Sequence, residues 1–157
     1  MKNIIFTDTT QRKHSQSYSQ SVSMDYDPHL ILQQIQDGIH NEMSDLCLKE
    51  IKMKHSSYKS QDKQKHKYDE TKHITLSQLL EKLKESLLLC YYCGKKVLLL
   101  YSKKKDGLQW SLERLNNNLG HYPDNTCIAC LKCNLGRRTD NHEYYKKGKT
   151  MILKKVI

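Results

Sequence analysis

The chain has 157 residues, 28% of them charged and 37% hydrophobic, with one Trp and one Phe. This composition excludes a large self-sufficient core and points to a small folded unit braced by a metal or a partner. The net charge of +10 is uneven: residues 73–157 hold 16 Lys/Arg against 7 Asp/Glu, whereas residues 1–72 hold 11 against 10. A basic half points to a polyanionic partner, with a merely solubilising surface as the plainer alternative. No run of about 18 apolar residues occurs, which excludes a membrane-spanning helix.

Residues 1–27, containing TTQRKHSQSYSQSVS, are too polar to bury a core and read as a disordered tail. They also lack the apolar segment and cleavage site of a secretory signal, so an intracellular protein, nuclear or cytoplasmic, is expected. Asp27–Pro28 is a good cap and first-turn pair. Leu30, Ile31, Ile35, Ile39, Met43, Leu46 and Ile51 then recur close to helical spacing, interrupted by Gly38. This amphipathic stretch, residues 28–53, is either docked on its own domain or a surface for a homodimer or protein partner. Residues 54–72 read as a solvated linker or an exposed helix of mixed charge.

From residue 73 the pattern predicts a folded module. Leu76, Leu79, Leu80, Leu83, Leu87 and Leu88 form one helical stripe behind a Thr75 cap. Residues 95–102 and 107–115 read as strands joined by the turn KKKDG, and residues 125–130 as a returning strand. A helix is expected after Cys130, and the tail TMILKKVI reads as a last strand.

Cys90-Tyr-Tyr-Cys93 and Cys130-Leu-Lys-Cys133 are two matched Cys-x-x-Cys pairs with 36 residues between them. A two-residue spacer lets both sulfurs of a pair reach one ion, and two pairs complete a tetrahedral shell. Structural Zn²⁺ on Cys90, Cys93, Cys130 and Cys133 is predicted, with buried or redox-active pairs as the alternative. Such a closed shell leaves no position for water, so this zinc would hold the fold and do no chemistry. Cys47 and Cys127 read as packed side chains.

Between the pairs, residues 88–138 resemble the HNH nucleases (ββα-metal, His-Me finger). The likeness is to their zinc-bound group, related to recombination endonuclease VII and the homing endonucleases of mobile elements. Glu113 falls at the acidic position of the first hairpin strand, Asn125 lies five residues before Cys130, and Asn134 directly follows Cys133. The resemblance implies an α+β fold: a small zinc-stapled ββα-metal domain, here over residues 73–157 with an N-terminal helical extension. It also implies a metal-dependent DNA endonuclease in which Glu113 and Asn134 hold Mg²⁺ or Mn²⁺. Where the family places its general-base His this chain has Arg114, which stays protonated but can clamp a phosphate. His121, at the following turn, is the substitute base and a candidate catalytic residue with Glu113 and Arg114. Lys103, Lys104, Lys105, Arg137 and Arg138 are candidate phosphate contacts to DNA, and Tyr144 and Tyr145 candidate stacking residues. The competing expectation is a non-catalytic zinc module of the same fold that binds DNA or a protein.

Overall fold

A computed structural model describes residues 25–156. It is a mixed helical and sheet structure, with five α-helices and one two-stranded antiparallel sheet among the described residues. The tail reading for residues 1–27 lies almost wholly outside them.

Helix α1, Pro28–Gln36, begins as its sequence dictates: the Asp27 carboxylate accepts the His29 and Leu30 amides, with Pro28 in the first turn. Gly38, in the left-handed region at φ 70°, turns the chain into α2, Glu42–Gln64, which Asn41 and Ser44 open with a reciprocal capping box. Most of the apolar stripe of residues 28–53 is used within the molecule, although Leu30 and Ile39 are exposed. Ile31, Leu32, Cys47 and Ile51 are buried, and Ile35, Met43 and Leu46 pack against the same core.

Residues 54–64 differ from expectation. They continue α2 for three more turns as a helix that is exposed on most of its surface but not all round, because the one-sided pattern of Cys47 and Ile51 runs on through Lys54, Tyr58 and Asp62. Tyr58 and Asp62 are buried. Residues at this spacing share a helix face, so polar side chains there face the rest of the molecule rather than water.

Helix α3, Leu76–Glu85, carries the expected Thr75 cap, boxed by Gln78, and buries Leu79 and Leu83. It stops short of the predicted stripe. Leu87 and Leu88 take left-handed φ angles, Leu87 is exposed, and the chain turns into the first cysteine pair.

The expected strand at residues 95–102 is absent. Its amides are divided among several partners: Val97 donates to the Leu88 carbonyl, Leu98 to Leu108, and Leu100 to the Tyr26 hydroxyl. Only isolated bridges result, although Val97, Leu99 and Leu100 are buried. Hydrophobicity placed this segment in the core, but its backbone follows no single neighbour.

The regular sheet is β1, Trp110–Arg114, against β2, Thr126–Cys130, in a register running from Trp110 opposite Cys130 to Arg114 opposite Thr126. Helix α4, Leu131–Arg137, follows β2 without a break, and α5, His142–Thr150, completes the described helices. Residues 151–156 are exposed and form no strand. No helix among the described residues is long and apolar enough to cross a membrane.

The free edge of β1 is closed by α2. Lys54 donates to the Trp110 carbonyl and, at 3.1 Å, to Gln109 Oε1; the Tyr58 hydroxyl accepts the Leu112 amide at 3.0 Å. One turn further on, Asp62 meets the loop between the strands. Each such bond contributes about 1 kcal/mol net, but leaving a buried strand amide without a partner costs more.

Candidate functional site

The four cysteines come together. Gly94, at φ 69°, closes a knuckle in which its amide reaches the Cys90 carbonyl at 2.9 Å and the Cys90 amide reaches Lys95 O at 2.8 Å. On the other side Cys130 ends β2 and caps α4, its sulfur accepting the Cys133 amide at 3.4 Å. All four sulfurs lie within 4.8 Å of one another, with Cys93 Sγ and Cys130 Sγ 4.0 Å apart and none of them in a disulfide. Four thiolates at zinc–sulfur bond length would be about 3.8 Å apart, so a small contraction completes a tetrahedron. The group could hold a metal ion such as zinc. Burial and neighbouring thiols push Cys133 up, so the protons must leave as the metal enters. Cys47 and Cys127 stand outside the cluster, each thiol pushed up to about 12, chiefly by burial.

Ser111 and Glu113, two residues apart on β1, share a face, and Asn134 and Arg137, three apart on α4, reach it. Asn134 Nδ2 donates to Ser111 Oγ at 3.0 Å. Glu113 takes Arg137 instead: Nη2 lies 2.7 Å from Oε1, with both side chains almost fully covered. The same guanidinium donates to Arg114 O at 2.5 Å, Asn117 Oδ1 at 2.8 Å and Asp140 O at 2.7 Å. The expectation that Arg137 is a surface phosphate contact is therefore corrected. It is only 2% exposed, because the buried carboxylate of Glu113, opposite Cys127 in the hairpin, draws it inward. Burial still raises the Glu113 pKa, against the lowering effect of Arg137.

His121 is not hydrogen-bonded to Glu113. Its amide and its Nδ1 each lie 2.7 Å from the Asp62 carboxylate, one to each oxygen, and its ring lies against Tyr58 with centroids 4.8 Å apart. Burial drives its pKa down to about 4, although Asp62 acts in the opposite direction. His73 approaches the same carboxylate, with Nδ1 3.3 Å from Oδ2. Gly120 is required here: a Cβ would sit 2.5 Å from the Lys67 carbonyl and 2.9 Å from Asp62 Oδ2. Asn125 braces the loop, its Nδ2 donating to Asn116 O and Gly120 O at 3.0 Å and its Oδ1 accepting the Asn116 amide at 2.9 Å. Gly120 and His121 thus latch the loop onto α2, and Asn125 braces it from within. Asp62 escaped the sequence reading; the signal was its place four residues after Tyr58 and eleven after Ile51.

Arg114 is half-buried and donates to Leu119 O at 3.2 Å, so it holds the loop rather than any base position. Lys103, Lys104 and Lys105 are exposed, and exposed Lys132 joins them, since its amide donates to Gly107 O at 2.9 Å. Arg138 is exposed just past α4, where its carbonyl accepts Asn117 Nδ2 at 2.7 Å. Tyr144 is 73% exposed, whereas Tyr145 packs edge-on against Tyr92 with centroids 5.0 Å apart.

Comparison with known protein families, curated proteins and solved structures returns no match for this chain.

Proposed function

We propose that the hairpin and α4 form a ββα unit stapled by structural zinc, which binds DNA through its basic surface without cutting it. The observation that carries this reading is the Glu113–Arg137 pair. A nuclease of this type needs a carboxylate open to a hydrated cation and a base able to take a proton from water. Glu113 is 4% exposed and its charge is matched by a guanidinium that cannot deprotonate. His121, brought down to about 4 and tied to Asp62, is too weak and too enclosed to act as that base.

The cations that remain exposed support DNA as the partner. Lys103, Lys104, Lys105, Lys132 and Arg138 are offered to solvent beside the hairpin and α4. Contacts of this kind give affinity without sequence preference and weaken steeply with salt. Reduced zinc thiolates fit an intracellular setting.

A second reading, a Mg²⁺- or Mn²⁺-dependent endonuclease acting through Glu113, His121 and Asn134, is favoured by one contact. Asn134 bonds to Ser111, on the same strand face as Glu113. Fluorescence anisotropy on a short duplex, followed by plasmid nicking with either metal, separates the two. The proposal expects binding that falls with salt and weakens on Lys103→Ala/Lys104→Ala/Lys105→Ala, with no nicking. Metal-dependent nicking abolished by Glu113→Gln would establish the nuclease instead.

A further inference from the structure

We propose that residues 144–156 form a peripheral membrane-binding element, which lays its apolar side chains into the headgroup layer of a bilayer carrying anionic lipids. The inference concerns a surface that the DNA reading leaves unused and does not rest on that reading.

Exposure and charge together carry it. The four most exposed large hydrophobic side chains among the described residues all lie here: Val156 at 93%, Leu153 at 87%, Ile152 at 82% and Tyr144 at 73%, with Met151 at 63% between them. Single exposed apolar residues are ordinary on a protein surface, whereas a contiguous set marks a contact site. Interleaved with them are Lys146, Lys147, Lys149, Lys154 and Lys155, and no Asp or Glu occurs between Tyr144 and Val156. Five positive charges against none amount to half of the net +10 of the whole chain. This pairing selects the partner. DNA phosphates would engage the lysines and leave the apolar side chains in water. A second copy would cover the apolar groups but bring two sets of like charge together. An anionic bilayer surface satisfies both, because the lysines meet the headgroups while the apolar groups sink to the acyl boundary.

The fold presents this segment outward. Helix α5 is seated on the first cysteine knuckle, with Tyr145 edge-on to Tyr92 at 5.0 Å and Lys146 Nζ 3.9 Å from the centre of the Tyr91 ring. Tyr144, Lys147 and Gly148, which share a helix side, are left exposed, and exposed Met151 follows one turn later. A phenol ring suits the headgroup level, where its apolar body is buried and its hydroxyl stays wet. Lysine stems can lie along the apolar layer while their ammonium groups reach the phosphates. Residues 151–156 form neither helix nor strand, so their amides need water or headgroups as partners. That confines the segment to the interface and keeps it out of the hydrocarbon core.

The test is co-sedimentation of the zinc-loaded full chain with vesicles of phosphatidylcholine alone and of phosphatidylcholine mixed with phosphatidylserine. The expected result is binding to the mixed vesicles, weaker at high salt and far weaker without phosphatidylserine. Ile152→Ser/Leu153→Ser should reduce it about tenfold or more, with the circular dichroism spectrum and the affinity for a short DNA duplex unchanged. Lys154→Gln/Lys155→Gln should also weaken it. Absence of binding to the mixed vesicles would overturn the proposal. Undiminished binding by the double-serine variant would do so too, since it would reduce the effect to the attraction of any basic protein. A fall in duplex affinity in that variant would give the segment to nucleic acid, and a dimer that the variant abolishes in sedimentation velocity would give it to a second copy; either defeats the lipid assignment. A wild type that binds the mixed vesicles as described but no duplex would support this inference and defeat only the DNA reading.

Discussion

Asp62 shows how much one buried carboxylate organises. It is fully buried on α2, receives the amide and Nδ1 of His121, and has His73 beside it. Burial lowers the pKa of both histidines, that of His121 to about 4, which disfavours their charged forms in the folded state. The linkage has a definite sign. An unfolded His121 gains its proton as pH falls through about 6.5, whereas the folded one resists until about 4. Stability from this source is complete above pH 6.5, falls between 6.5 and 4, and is lost below. A shift of this size amounts to about 3 kcal/mol at most. Urea unfolding of the zinc-loaded chain across this window should show the fall, and His121→Asn should flatten it. An unchanged slope in the variant would mean that acid acts elsewhere, as through release of zinc from the thiols.

At the scale of elements, α2 is the part whose role changes most between sequence and structure. Its first half announces itself through Cys47 and Ile51. Its second half is written in Lys, Gln and Asp, so polarity hides a helix face that continues unbroken. Lys54 is accommodated by its stem, by the Trp110 and Tyr101 rings, and by a pKa lowered to about 8, chiefly through burial. Without α2 the edge of β1 would lose its partners. Residues 73–157 alone should therefore fail to unfold cooperatively in a thermal melt, and a sharp transition near that of the whole chain would refute this. Tyr58→Phe removes only the acceptor for the Leu112 amide and should cost about 1–2 kcal/mol, read from the urea midpoint.

The whole molecule is small for the charge it carries, and a metal held by the four-cysteine cluster would answer the composition with which the sequence begins. Binding of zinc to four thiolates is worth roughly 10–16 kcal/mol in small zinc modules, comparable to the entire stability of a domain. Chelation, or Cys130→Ser, should collapse the circular dichroism signal and release the bound zinc together. Retention of the full spectrum after zinc loss would show that the core suffices by itself.

Sequence alone determined the features that local rules govern. The Asp27 and Thr75 caps, the strands near residues 110–114 and 126–130 and the four-cysteine cluster each depend on residues a few positions apart, or on a repeated spacer that names its own partner. Tertiary structure alone decided what the acid and the histidine do. Glu113 and Arg137 are 24 residues apart, and Asp62 and His121 are 59 apart. No periodicity links such positions, because their pairing arises only when strand, helix and loop are packed and buried charge must find its opposite.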